Sequence, residues 1–362
     1  MTTSNHANEI SRLRDRLNPQ MCILARDFAG MTQTDLAERL NVSQGTVSKI
    51  EEGITPASDA FISDLSRVFE RPLGFFTQNP GLSLTLEGHF RKKSALPKKQ
   101  LKMADARMNI SRLQINRLVE NCSIEFQEVP KCDPDEYPGG PKEIAAAVRQ
   151  FLNIPHGPIA NLVEVVETAG CIVRFLDFGT LLIDGFAVLS GTNIPIIFIN
   201  KAFSPDRRRL TLAHEFGHVI MHRGRLRPNM DDEAFEFAGE FMMPAKEIKS
   251  TLYPLNLEKL ARLKLRWKVS MAAILQHGKR IGAVNERYYR YIRTELSKNG
   301  FSKTEPYEDM VELEKPTSLT RILRFYKNDL GYTIDDVANL LNANHHEVSS
   351  LARPNHDRFT IV

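Results

Sequence analysis

The spacing of hydrophobic positions changes along the chain, and each change predicts a different kind of structure. From about residue 17 to 76, apolar residues recur every three or four positions, which predicts consecutive short helices and no strands. Between residues 171 and 200, the runs CIVRFLDF, GFAVLS and PIIFIN are short and rich in β-branched residues, which is typical of strands in a small sheet. Helical spacing returns over residues 206–222 and 231–241 and continues towards the C-terminus.

The segments between these regions have a different character. FRKKSALPKKQLK is basic, with Arg91, Lys92 and Lys93 followed by Lys98, Lys99 and Lys102, and residues 101–125 are compatible with a helix. EVPKCDPDEYPGGPK is rich in Pro, Gly and charge, which indicates a boundary or a long exposed loop. The stretches 142–152 and 159–168 again have helical spacing, and the final segment around residues 318–352 has two amphipathic stretches on either side of a Gly turn.

Together these patterns predict a multidomain, mainly α-helical protein with one small α+β domain. Helices, then strands, then helices favour an α+β layer over repeated βαβ units. We divide the chain into a polar arm (1–16), an all-α N-terminal domain (17–78), a basic, helical linker region (79–140), the α+β domain (141–252) and a helical C-terminal region (253–362). No repeat of fixed period is visible.

Composition narrows the class of protein. With 42% hydrophobic and 25% charged residues, the chain matches an average globular protein, so we expect neither disorder nor a membrane protein. The opening MTTSNHANEISRLRDR is polar, unlike a signal peptide, and we expect a cytoplasmic location. A net charge of +4 permits contact with nucleic acid without requiring it. The 4 cysteines form no CxxC pair, so neither a disulfide framework nor a thiolate zinc site is indicated.

The most specific chemical motif is His-Glu-x-x-His at residues 214–218, within RRRLTLAHEFGHVIMHR. On a helix, positions four apart lie on one face, so the imidazoles of His214 and His218 can reach one metal ion. Glu215 can meet a metal-bound water without binding the metal, and can act as its general base. The motif therefore predicts a zinc peptidase site. The alternative is a pair of histidines that simply pack within a helix.

Such a site needs a third protein ligand and one open position. The next predicted helix, MDDEAFEFAGEFMMP, offers several acids. We predict Asp231 as the third ligand, with Glu233 as the alternative. His222 lies one further turn along the first helix, too far for direct binding, which predicts a position beside the site or on the surface. Helical phase places Asp231 on the face with the small and buried residues Ala234, Phe235, Ala238 and Met242, and opposite Glu233, Glu236 and Glu240.

A second motif lies in MTQTDLAERLNVSQGTVSKIEEG, residues 31–53, which has the parts of a helix-turn-helix. Thr32 can cap a first helix, and Asn41, Val42 and Ser43 turn the chain into a second helix that begins at Gln44. In the major groove of DNA the second helix would present side chains to base edges, while others contact phosphate. The residues predicted to contact DNA are Gln33, Ser43, Gln44, Thr46, Ser48 and Lys49. The alternative is a helical bundle whose polar surface binds no nucleic acid.

These motifs resemble the ImmA/IrrE metallopeptidases, in the form that carries an N-terminal Xre-type (Cro/C1-like) helix-turn-helix. TQTDLAERLNVSQGTVSKIEEG is similar to the Xre pattern, RRRLTLAHEFGHVIMH to the zinc helix, and FAGEFMMP to the end of the third-ligand helix. The resemblance implies a zincin-like, gluzincin-like domain that binds zinc. The family's usual glutamate ligand matches Asp231 here, and the position of Phe235 is often Asn.

The resemblance also implies a bacterial, cytoplasmic role. Such peptidases relieve repression by cutting a transcriptional repressor or an antitoxin-like protein, in phage, stress or toxin–antitoxin contexts. We expect operator DNA and such a protein substrate as partners, no membrane, and a homodimer, since a two-fold protein matches a palindromic operator. The rival hypothesis is an Xre-type regulator whose zincin-like domain is a sensor or interaction module with little proteolysis. A third is that the helix-turn-helix serves only protein contacts.

Overall fold

The computed structural model describes residues 17–81, 97–222 and 228–352. The polar arm predicted at 1–16, and Arg91, Lys92 and Lys93 of the basic run, lie outside the described residues. The described residues are mainly helical, with one small sheet, as the hydrophobic pattern predicts. None of the described helices is long and apolar enough to span a membrane.

Four short helices and a 3-10 turn form the N-terminal unit: α1 (Pro19–Phe28), α2 (Gln33–Leu40), α3 (Gln44–Glu51), α4 (Asp59–Phe69) and the turn Leu73–Thr77. Polar side chains at Asn18, Thr32, Ser43 and Ser58 accept backbone N–H groups at the four helix starts. Asn41 ends α2 in the left-handed region (φ 53°), so the chain turns at once into α3. The four helices pack around one common core.

Helix α5 (Lys98–Glu120) follows and belongs to two cores. Its Ala106 and Ile110 pack into the N-terminal core, whereas Met108 and Ile115 pack into a core against the sheet. The segment predicted as a helix-compatible part of the linker region is therefore a buried element that touches both units.

The central unit contains α6 (Gly140–Phe151), α7 (Leu162–Thr168), β1 (Ile172–Leu176), β2 (Gly185–Leu189) and β3 (Pro195–Asn200), followed by α8 (Pro205–Met221) and α9 (Met230–Met242). The strand order is β1-β3-β2; β1 runs parallel to β3, and β2 pairs antiparallel with β3 at the edge. Residues such as Val173 and Ile197 point into the core shared with α8 and α9, whereas Ile172 and Ile196 point to the opposite core. Both faces of the sheet are therefore covered.

The C-terminal region is helical: α10 (Ala245–Ile248), a 3-10 turn (Lys249–Leu252), α11 (Leu257–Trp267), α12 (Met271–Arg280), α13 (Glu286–Lys298), a 3-10 turn (Glu308–Met310), α14 (Ser318–Asn328), α15 (Ile334–Leu341) and α16 (His345–Ala352). Helices α11 to α13 complete the core around α8 and α9. Helices α14 to α16 pack with α5 on the other face of the sheet.

Two features fix the position of α8. At its start, Asp206 accepts from the buried Lys264 Nζ at 2.8 Å, and Glu305 holds the same ammonium at 3.0 Å. Near its end, Gly217 lets α9 come close, because a Cβ at this position would lie 3.0 Å from Phe237 Cδ1. The helix that carries His-Glu-x-x-His is therefore held at both ends by tertiary contacts.

Candidate metal centre and DNA-binding surface

Three predicted metal-binding side chains meet in the structure. His214 Nε2 and His218 Nε2 lie 3.1 Å apart on α8, and His218 Nε2 lies 3.6 Å from Asp231 Oδ1 on α9. Ligand atoms of the three residues lie within 4.8 Å of one another. Ligands around a tetrahedral zinc ion stand about 3.4 Å apart, as the usual bond lengths of about 2.0–2.1 Å require. Two imidazoles and one carboxylate thus have the chemistry and spacing of a zinc site.

Contrary to the prediction from helical phase, Asp231 does not lie on a buried face of α9. Ala234, Ala238 and Met242 are buried as helical phase predicts, but the Asp231 side chain is 76% exposed and Phe235 is 43% exposed. Asp231 lies in the first turn of α9, where the helix extends over an open cleft instead of into the core. Its nearness to the histidines comes from the crossing of α8 and α9, not from a buried face.

The acids placed on the opposite side of α9 are not all solvated. Glu240 is buried and accepts the backbone N–H of Ala245 at 3.0 Å, and burial raises its pKa above the usual range. Glu233, the alternative third ligand, directs Oε2 to His222 Nε2 at 2.8 Å. His222 itself is only 1% exposed, and its Nδ1 lies 2.9 Å from Nδ1 of His218. His222 therefore lies behind the cluster of His214, His218 and Asp231 and not on the surface.

Glu215 occupies a dry position beside the cluster. It is 8% exposed, and burial, the largest influence, raises its pKa to about 7, against the opposing effect of nearby His218. A hydrogen bond from the backbone of Ala187, on edge strand β2, also acts on the carboxyl group. A carboxyl group with a pKa near neutrality can both accept and return a proton at physiological pH.

The cluster opens into a cleft of about 1490 Å³. Edge strand β2 forms one wall, α8 the floor, and α9 with α12 the other side. Phe235 covers the first histidine, with 4.1 Å between the ring centroids of Phe235 and His214. The volume exceeds the range of about 300–1,000 Å³ that is usual for small-molecule pockets.

The predicted DNA-contact residues lie on or next to α3. Gln44 Nε2 donates to Gln33 Oε1 at 2.8 Å, so the two glutamines form one polar surface. Lys49 is exposed on the same helix. Ser43 and Thr46 make local contacts: Ser43 Oγ accepts the Thr46 backbone N–H at 3.1 Å, which caps α3. Ser48 is half-buried and donates to Glu52 at 2.7 Å.

Sequence reasoning missed the buried ion pair that supports this surface. Arg26 of α1 donates from Nε and Nη2 to the two carboxylate oxygens of Glu51, at 2.6 and 2.9 Å. Glu51 Oε2 also accepts from Gln33 Nε2 at 2.9 Å. The only available signal was that Arg26 and Glu51 occupy inward positions of their helices, where charged residues are rare unless paired.

Family comparisons agree with both motifs. Residues 25–76 match the model of the helix-turn-helix family, and residues 166–277 match the IrrE N-terminal-like domain, Peptidase_M78. The chain joins a helix-turn-helix domain to an IrrE-like metallopeptidase-family domain. No curated protein matches the chain. The IrrE-like match runs from α7 to α12 and includes the three clustered residues and Glu215.

Proposed function

We propose that the protein is a zinc-dependent regulatory endopeptidase whose DNA-binding domain brings it to specific genes. The observation that carries the proposal is the cluster of His214, His218 and Asp231 beside the buried Glu215, at the bottom of an open cleft. His214, His218 and Asp231 would hold the ion. When bound, zinc would activate a water molecule and polarise a peptide carbonyl group.

The remaining chemistry belongs to the chain's own side chains. Glu215 would take the proton from the attacking water and return it to the leaving amine. Within the described residues, edge strand β2 has a neighbouring strand on one side only, so an extended substrate segment could lie along its other edge. Because β2 lines the cleft, such a segment would pass in front of Glu215.

The substrate we propose is a transcriptional repressor or an antitoxin-like protein. The helix-turn-helix domain supports DNA binding, and a peptidase held near an operator would meet repressors bound there. Gln44 and Lys49 would read base edges, since glutamine can bridge adenine and lysine can donate to guanine. The homodimer that would match a palindromic operator stays a prediction.

The proposal can be tested with the full-length protein, the repressor or antitoxin encoded beside it, and Zn²⁺. We expect about one zinc ion per chain and cleavage by the wild type, and Glu215→Gln to keep zinc while losing cleavage. Asp232→Asn is the matched control, because it removes an exposed carboxylate one residue from Asp231. Absence of zinc from freshly loaded wild-type protein would exclude the metallopeptidase.

The second candidate is an Xre-type regulator whose IrrE-like domain is a sensor or interaction module. The exposure of the Asp231 side chain favours it, since a solvated carboxylate holds an ion less firmly than one fixed by burial. Glu215→Gln separates the two functions. If target genes respond unchanged in this variant, the regulator hypothesis holds and the peptidase hypothesis fails.

A further inference from the structure

Helices α14 to α16 repeat the local structure of α1 to α3. Gly30 precedes α2 with a φ of +66°, and Gly331 precedes α15 with a φ of +72°. Two residues after each glycine, a threonine starts the next helix with a capping box, formed by Thr32 with Asp35 and by Thr333 with Asp336. The two segments therefore enter their second helices in the same way.

The turn after each second helix is also the same. Helix α2 ends at Asn41 (φ 53°) and α15 ends at Asn342 (φ 48°), both in the left-handed region. Two residues later Ser43 caps α3, and Asn344 accepts the backbone N–H of Glu347 at the start of α16. This is the short turn that sets the angle between the helices of a helix-turn-helix.

The buried positions follow the same register. Each buried apolar residue of α2 and α3 has an apolar, buried counterpart in α15 and α16. Leu36, Ala37, Leu40, Val47 and Ile50 correspond in order to Val337, Ala338, Leu341, Val348 and Leu351. Residues 318–352 are therefore a second helix-turn-helix unit, lying outside both segments that match known families.

The outward positions differ in charge. Arg39 and Lys49, two exposed cations of the first unit, correspond to Leu340 and Ser350. Glu347 stands where the first unit has Thr46. A surface that binds DNA needs cations to neutralise phosphates. Helix α16 has a serine at the position of Lys49 and a carboxylate at the position of Thr46.

Those changed positions face protein. Glu347 pairs with Arg71, at the end of the N-terminal unit, with 2.6 Å from Oε1 to Nη2 and 3.1 Å from Oε2 to Nη1. Ser350 accepts Arg174 Nη1 of β1 through its backbone carbonyl at 2.7 Å. The helix that corresponds to α3 therefore touches the DNA-binding unit at one end and the sheet of the IrrE-like domain at the other.

The contact between residues 318–352 and the N-terminal unit is buried and tightly packed. Arg71 is only 4% exposed, and its guanidinium lies over the Phe75 ring at 4.3 Å. Asn344 Nδ2 donates to the backbone carbonyl of Glu70 at 3.1 Å. Gly74 leaves room for the turn, since a Cβ there would lie 2.4 Å from Asn342 Oδ1. A charge buried with a two-point partner resists separation.

We propose that residues 318–352 are a helix-turn-helix unit that has lost DNA reading and now docks the first unit onto the IrrE-like domain. Its recognition helix, α16, serves as the docking surface, with Glu347 as the central contact. Together with α5, which packs into the cores of both, this contact holds the DNA-binding unit and the sheet that borders the cleft as one body.

Hydrogen exchange of the full-length protein tests the docking. Glu347→Gln leaves Arg71 buried without a counter-charge, and we expect the amides of residues 70–78 to exchange roughly a hundredfold faster. The matched control is Asp335→Asn, which removes a carboxylate of the same unit that pairs only locally with His345 in the described contacts. Unchanged protection of residues 70–78 in Glu347→Gln would overturn the proposal.

A second variant tests the docking without a substitution in α16. Arg71→Lys keeps the charge but loses the two-point geometry, so it should increase exchange at residues 344–350 of the partner unit while α16 keeps its helical signal in circular dichroism. Protection of residues 344–350 equal to wild type would contradict docking.

Binding to a mixed-sequence DNA duplex tests the loss of DNA reading. His345 and Ser349 correspond to Gln44 and Ser48 of the first unit. We expect the double variant His345→Ala, Ser349→Ala to bind within twofold of wild type, whereas Lys49→Ala lowers the affinity and the salt dependence. A loss in the His345, Ser349 variant as large as that of Lys49→Ala would show that the second unit still binds DNA.

Discussion

His222 Nδ1 lies 2.9 Å from His218 Nδ1, while His222 Nε2 lies 2.8 Å from Glu233 Oε2. If His218 uses Nε2 for the metal, its Nδ1–H donates to His222 Nδ1, and His222 Nε2–H donates to Glu233. The chain of contacts fixes the orientation of His218 and increases its basicity. We infer that Glu233 and His222 position His218 for the metal site that we propose.

Removal of Glu233 should weaken the metal site without removing a ligand. We expect Glu233→Ala to lower zinc affinity about 10- to 100-fold, the usual effect of losing an outer partner of a ligating histidine. Competition with a chromogenic zinc chelator measures the affinity. Asp232→Ala, at an exposed position of the same helix, should leave the affinity at the wild-type value. Equal affinity of all three proteins would show that the contact chain does not orient His218.

Asp231 should have a larger effect if it is the third ligand. Asp231→Ala is expected to lower zinc affinity by more than the about 100-fold upper value for an outer partner. Asp231→Glu should retain most of the affinity, since it keeps the carboxylate and its position at the open end of α9 allows the longer side chain. The same competition assay measures both variants. If Asp231→Ala binds zinc with wild-type affinity, Asp231 is not the third ligand.

The Arg26–Glu51 pair should stabilise the DNA-binding unit. Glu51→Gln leaves Arg26 buried with a weaker partner, and we expect the local free energy of unfolding to fall by about 3 kcal/mol. Hydrogen exchange of α1 and α3 measures this loss. Glu52→Gln, next to it but exposed, should cost under about 1 kcal/mol, as is usual for surface charges. DNA affinity should fall with Glu51→Gln as well, because Glu51 also holds Gln33.

His277 should make the stability of the IrrE-like domain depend on pH. Burial lowers its pKa from 6.5 to about 4, and Met243 accepts its Nε2–H at 2.8 Å. Because the unfolded state takes up a proton at a higher pH than the folded state, this contribution is complete above pH 6.5. It is lost as the pH falls from 6.5 to about 4, by about 3 kcal/mol in total.

Chemical denaturation at several pH values, with a chelator present so that metal loss does not contribute, measures this slope. His277→Gln should unfold with a flatter pH dependence between 6.5 and 4, although its stability at neutral pH is lower. The same slope in the variant and the wild type would assign the acid sensitivity to other groups.

The local structure of the helices and strands, and the sequence motifs of both candidate sites, could be predicted from the sequence alone. Short β-branched runs predicted the three strands, and helical spacing predicted the helices around them, because both are local features of the chain. His214, Glu215 and His218 come close because they share a single helix turn. Thr32 and Ser43 cap their helices for equally local reasons.

Which elements face one another depends on how the whole chain packs. Periodicity cannot show that α9 crosses α8 so that Asp231 is exposed yet next to His218, or that Glu233 reaches His222. Periodicity also cannot predict the ion pair between Arg71 and Glu347, because the two residues are far apart in the sequence and belong to separate helical units. Helical phase predicts the direction in which a side chain leaves the axis of its own helix. The residue that this side chain contacts depends on where the rest of the chain packs.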